Sequence, residues 1–203
     1  MVVKFAKSEQ RLVIFLHGMG GAGPDMLPIA GPWRRTLQNT RFIAPDAPFP
    51  SGQGGHQWFR VDGQELRPDH IAFVRTAFDQ LIGDIVRREG FDDALDKVAL
   101  VGVSQGSVMA LDAVASGRWK IGAVVTFAAL LPLRPIPTEN HVAILMIHGQ
   151  NDLRIPAEAS KAAAGQLRAA GFDVDLEILP GVGHTISSDG AAKALAFLKK
   201  RFA

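Results

Sequence analysis

The stretch Val98-Ala99-Leu100-Val101-Gly102-Val103-Ser104-Gln105-Gly106 constrains this chain more than any other. An unbroken apolar run meets Gly-x-Ser-x-Gly there, and a helix-like segment, 107–115, follows at once. A continuous apolar run suits a strand covered on both faces. A serine on a tight turn from such a strand into a helix has its hydroxyl pushed out of the sheet and its backbone strained. The positions two before and two after it must therefore be small. Gly102 and Gly106 fill them.

The rest of the chain repeats the alternation. At 203 residues, 47% of them hydrophobic and 21% charged, it is long enough to bury one substantial core, and 1–203 reads as a single domain. Strand-like runs occupy 11–17, 41–44, 97–103, 121–127, 142–148 and 174–179, and helix-like segments occupy 25–37, 68–88, 104–116, 156–170 and 188–202. In the second helix Ile71, Val74, Phe78, Leu81, Ile82 and Ile85 share one face, with Arg75, Asp79 and Asp84 turned away. Pro156 opens one helix, while Gly90 and Gly171 close two. Strands alternating with helices imply an α/β fold, a mostly parallel, doubly wound sheet flanked by helices with no large lid domain. Ligands bind such sheets beyond the carboxyl ends of the strands, so the chemistry is to be sought in those loops.

Composition excludes several classes of function. The formal net charge is only +2, and the pI of 9.2 overstates basicity because a chain without Tyr or Cys has little to buffer near that pH. No nucleic-acid partner follows. Arg87-Arg88 and Lys199-Lys200-Arg201 stand at helix ends, where cations favour the helix dipole, and Arg34-Arg35 is a short cluster of the same kind. The absence of Cys removes disulfides, thiolate metal sites and cysteine nucleophiles together. Residues 1–7 show no secretory leader, and no run approaches the ~18 apolar residues of a membrane span, so a cytoplasmic protein without a stable membrane anchor is expected.

A serine hydroxyl is a poor nucleophile until a base, itself held by a third group, lies within hydrogen-bond reach. Two loops at strand ends offer the partners. His148-Gly149-Gln150-Asn151-Asp152 follows one buried-type run, and Pro180-Gly181-Val182-Gly183-His184 follows the next. Ser104, Asp152 and His184 occur in the chain order of α/β-hydrolase triads. His184 would take the serine proton, and Asp152 would orient the imidazole. Glu158 and Asp189 are weaker candidates for the acid and His56 for the base, since each lies in a helix-like or irregular segment. His17 and His148 each precede a glycine at a strand end and read as turn scaffolding. For the oxyanion of a tetrahedral intermediate, the backbone N–H groups of Gln105 and Met19 are the expected donors. Met19 belongs to Leu16-His17-Gly18-Met19-Gly20-Gly21-Ala22-Gly23, like the His-Gly-rich loop of esterases.

The same glycines fit G-x-G-x-x-G, and Asp46 follows about twenty residues on, which raises a dinucleotide-binding alternative. Pro24 comes directly after the last of them, so the helix starts too late to aim its N-terminus at a pyrophosphate. That alternative also leaves Ser104, Asp152 and His184 without a purpose. A third alternative, a hydrolase-fold binding protein that has lost activity, keeps the residues but not the chemistry.

Across nearly its whole length the chain resembles the phospholipase/carboxylesterase family of α/β-hydrolases, which includes small bacterial carboxylesterases and acyl-protein thioesterases. The resemblance lies in Leu16-His17-Gly18-Met19-Gly20, Ala44-Pro45-Asp46-Ala47-Pro48, Trp58-Phe59, Gly102-Val103-Ser104-Gln105-Gly106, His148-Gly149-Gln150-Asn151-Asp152 and Gly183-His184. It implies a serine esterase needing neither metal nor cofactor, acting on a small carboxylic ester, a thioester or a lysophospholipid, with a homodimer left open. Trp58, Phe59, Leu130 and Leu131 are expected to form an apolar acyl pocket. The chain departs from the family pattern at Arg60, where an acid is common, and at Ala128-Ala129, which replace the usual Ser-Gly.

Overall fold

A computed structural model describes residues 10–52, 54–61, 68–137, 139 and 142–202; residues 1–9, on which the expectation of no leader rests, lie outside them. The central sheet contains β1 (Arg11–Leu16), β2 (Thr40–Ile43), β5 (Val98–Val103), β6 (Ala123–Phe127), β7 (Ala143–Gly149) and β8 (Asp173–Leu179). A small antiparallel pair, β3 (Phe49–Pro50) and β4 (His56–Gln57), stands apart from it. The helices are α1 (Leu27–Thr36), α2 (Pro68–Glu89), α3 (Gln105–Ala115), α4 (Ala157–Ala169) and α5 (Ser188–Arg201). Every expected strand and helix is present to within a few residues. The short β3–β4 pair had no periodicity to betray it.

All pairings in the main sheet are parallel, in the order β2-β1-β5-β6-β7-β8. Because successive side chains on a strand point to opposite faces, each continuous apolar run serves two cores at once. Leu12, Ile14 and Leu16 pack with Ile71, Phe78 and Ile82 of α2, whereas Val13 and Phe15 pack with Trp33 of α1 and Leu198 of α5. One polar knot ties two helices on the first face. Asp112 of α3, almost wholly buried, takes hydrogen bonds from Arg75 of α2 at 3.0 and 2.7 Å and from Arg118 at 2.9 Å.

The strand order reverses between β1 and β5. From β1 the chain crosses outward to β2, and β5 then starts the march in the other direction. The loops leaving β1 and β5 therefore diverge at their carboxyl ends and open a crevice there. Ser104 stands at that point.

Candidate active site

Ser104 has φ 53° and ψ −118°, a backbone that L-residues adopt only under constraint. The constraint is the closeness of the helix to the sheet. A Cβ at Gly106 would sit 2.1 Å from the carbonyl oxygen of Leu16 in β1, and one at Gly102 would sit 2.5 Å from the backbone of Gly106. Only hydrogen fits at either position, which is why Gly-x-Ser-x-Gly is needed here. The Ser104 amide donates to Phe127 of β6 at 2.9 Å, anchoring the turn to the next strand.

Asp152 and His184 meet, with His184 Nδ1 lying 2.7 Å from Asp152 Oδ2. Their loops are brought together because Gly149, at the end of β7, lets the backbone of Val182 and Gly183 come where a Cβ would be 2.3 Å from a carbonyl oxygen. Asn151 then donates its amide to Val182 at 2.8 Å. Asp152 is buried, and its other oxygen accepts the amides of Arg154 at 2.8 Å and Ile155 at 2.9 Å. Burial opposes its ionisation, but the Ile155 amide, the His184 imidazole and the Arg154 amide together outweigh that. The carboxyl titrates below its ordinary value of 3.8. An ionised Asp152 fixes the His184 proton on Nδ1, and Nε2 is left as an acceptor.

His148 turns out to brace the acid. Its Nε2 faces the carbonyl of Ile155 at 2.9 Å and lies 3.3 Å from Asp152 Oδ2, while Nδ1 meets the Ser160 hydroxyl of α4 at 2.6 Å. His17 is scaffold too, accepting the Ala47 amide at 2.9 Å on Nε2. His56 Nδ1 lies 3.0 Å from the carbonyl of Ala47 and its Nε2 3.7 Å from Asp46 Oδ2. Glu158 pairs with Lys161 at 3.2 Å on the exposed side of α4, and Asp189 opens α5.

Ser104, Gln105 and His184 line one cavity of about 440 Å³, together with Gly18 and Met19 from the loop after β1. Neither the Met19 nor the Gln105 amide has a backbone acceptor among the described residues. Phe59, Val61, Val103, Val108, Leu130 and Ile155 supply apolar wall, and Arg154 the remaining lining.

Two expected pocket residues are elsewhere. Trp58 is 1% exposed, stacked edge-on against Phe78, with its indole N–H donating to the His17 carbonyl at 2.8 Å. Leu131 packs against the core without lining the cavity. The chain before Trp58 is rich in Gly and Pro, as an irregular surface loop would be, but Gln105 pulls that segment inward. Gln105 Oε1 accepts the Trp58 amide at 3.0 Å and its Nε2 donates to the Phe59 carbonyl at 2.9 Å. This second use of Gln105 had no local signal in the sequence, nor did the lining roles of Val61, Val108 and Arg154.

The glycine loop is equally structural. A short 3-10 turn, Gly23–Met26, precedes α1, and the Gly23 amide donates to Asp46 Oδ1 at 2.7 Å. No α-helix begins among the glycines, and Asp46 is engaged with the loop itself.

The phospholipase/carboxylesterase family model matches residues 1–202. The chain belongs to that family. It is a hydrolase of the esterase type, and its relatives agree in length as well as pattern. Acyl-protein thioesterase 1 of Gibberella zeae is 27% identical over 225 residues, covering 99% of this chain and 94% of that one. Esterase YpfH of Escherichia coli is 27% identical, covering 95% and 84%. Among solved structures, esterase PE8 superposes with a TM-score of 0.84 at 31% identity over 94% of this chain and 92% of its own. SOBER1 of Arabidopsis thaliana shares the fold, with a TM-score of 0.81 at 24% identity over 96% and 100%. Among the described residues no helix is long and apolar enough to cross a membrane, and no cluster of three or more His, Asp or Glu is disposed to hold a metal.

Proposed function

We propose that this protein hydrolyses small carboxylic esters or thioesters through an acyl-Ser104 intermediate. Ser104 Oγ attacks the carbonyl carbon while His184 Nε2 accepts its proton. The negative oxygen of the tetrahedral intermediate is met by the Met19 and Gln105 amides, the second of which opens α3 and adds that helix's dipole. Collapse of the intermediate expels the alcohol or thiol, which takes the proton back from His184. Water then repeats the sequence and releases the acid. Asp152 stays ionised throughout and stabilises the imidazolium as it forms. Phe59, Val61, Val108 and Leu130 give the acyl chain an apolar wall, worth about 0.8 kcal/mol per buried methylene.

What carries this reading is the 2.7 Å contact of His184 with a buried carboxylate, beside a serine on a strained turn in the same cavity. The relatives named as esterase and as acyl-protein thioesterase support both leaving groups. Ser104→Ala should lower kcat on p-nitrophenyl hexanoate by about 10⁶ and abolish labelling by a fluorophosphonate probe. Substantial turnover by that variant, or a wild-type protein that the probe does not label, would overturn the proposal.

A further inference from the structure

The loop after β7 brings one more group to the cavity. Arg154 lines it alongside Ser104 and His184, and its own amide, donated to Asp152, ties its backbone to the base of the site. The residue is exposed, and its guanidinium has no ion-pair partner among the described residues. Arg34, Arg35, Arg60, Arg134 and Arg168 likewise have none there, and what sets Arg154 apart is its place on the cavity wall beside Ser104 and His184. Six others, Arg41, Arg75, Arg87, Arg88, Arg118 and Arg201, are neutralised by carboxylates.

The acids near Arg154 in sequence are already engaged. Asp152 is buried and saturated by the Arg154 and Ile155 amides and by His184, and Glu158 pairs with Lys161. No carboxylate lines the cavity among the described residues. The other walls are largely apolar, and low-dielectric walls focus the field of a charge into the space they enclose. Arg60, between the lining residues Phe59 and Val61, is likewise exposed with no ion-pair partner among the described residues, and it adds positive potential along the same segment.

We infer that the cavity selects esters carrying a second, anionic group, a carboxylate or a phosphate, and that Arg154 is the specificity-determining residue that receives it. A planar guanidinium donates two parallel N–H bonds to the two oxygens of such a group. The anion takes no part in bond making. It orients the substrate while its ester carbonyl reaches Ser104, so the inference rests on the acyl-serine reading above.

The test is a ratio of kcat/KM values. Mono-p-nitrophenyl adipate is compared with p-nitrophenyl hexanoate, which has the same acyl length without the carboxylate. Hexanoyl-glycerol 3-phosphate is compared with monohexanoyl glycerol, which places the charge on the alcohol side instead. In the wild type at least one anionic substrate should be favoured, and the pair that responds identifies which side of the ester carries the charge. In Arg154→Leu that preference should fall about 10- to 100-fold, as for loss of a charge-assisted bidentate contact. Arg154→Lys, which keeps the charge but not the fork, should retain part of it, and raising salt from about 0.05 to 0.5 M should erode it. Ratios indifferent to Arg154→Leu, in a protein that still cleaves the neutral esters, would overturn this inference and leave the esterase reading standing. Failure to cleave any of the four substrates, without fluorophosphonate labelling, would instead remove both.

Discussion

The Asp152 carboxylate receives main-chain amides on one oxygen and the His184 imidazole on the other. Both sets of donors favour the ionised form, and in the folded protein they prevail over burial. A carboxyl whose folded value is depressed adds stability that is fully present above its unfolded value near 3.8 and is lost as pH falls through the lower folded value. Urea unfolding measured from about pH 5 down to about pH 2 should therefore lose stability more steeply in the wild type than in Asp152→Asn. Parallel curves would show that this carboxylate is not linked to folding. The same substitution offers His184 Nδ1 an amide in place of a charge, so the imidazole no longer has one enforced tautomer. A fall in kcat of about 10⁴ is expected, read on the p-nitrophenyl ester.

At the scale of elements, α3 and the segment that follows β4 are joined through Gln105. That side chain carries no charge and does no chemistry of its own, yet it satisfies the Trp58 amide and the Phe59 carbonyl, both deep in the protein. Gln105→Met keeps the volume and removes both bonds, leaving a buried donor and a buried acceptor unpaired. A loss of about 2–4 kcal/mol in unfolding free energy is expected from the denaturant midpoint. An unchanged midpoint would mean that water reaches these groups and that the brace contributes nothing. The approach to Trp58 and Phe59 left little trace in the sequence, because Gly and Pro describe a turning backbone without saying whether it turns toward the core or away from it.

For the molecule as a whole, the cavity is assembled from loops at the carboxyl ends of β1, β5, β6, β7 and β8, with a further wall from Phe59 and Val61. Such a site exists only while the entire sheet is in register. Esterase activity, tryptophan fluorescence and far-UV circular dichroism should thus disappear at one urea midpoint, and earlier loss of activity would show the loops failing ahead of the sheet. The strands and helices were legible in the sequence because burial on both faces leaves long apolar runs, and the candidate residues Ser104, Asp152 and His184 stand out because each lies just beyond such a run. Those are local signals, set by periodicity and by the small residues a tight turn demands. What only the tertiary structure decided is which side chains face one another across different strand ends: that Trp58 is core and Phe59 is wall, that His148 braces the acid, and that Arg154 opens onto the cavity. Such relations depend on the approach of segments far apart in the chain, and the packing that brings them together leaves no mark in the neighbouring residues.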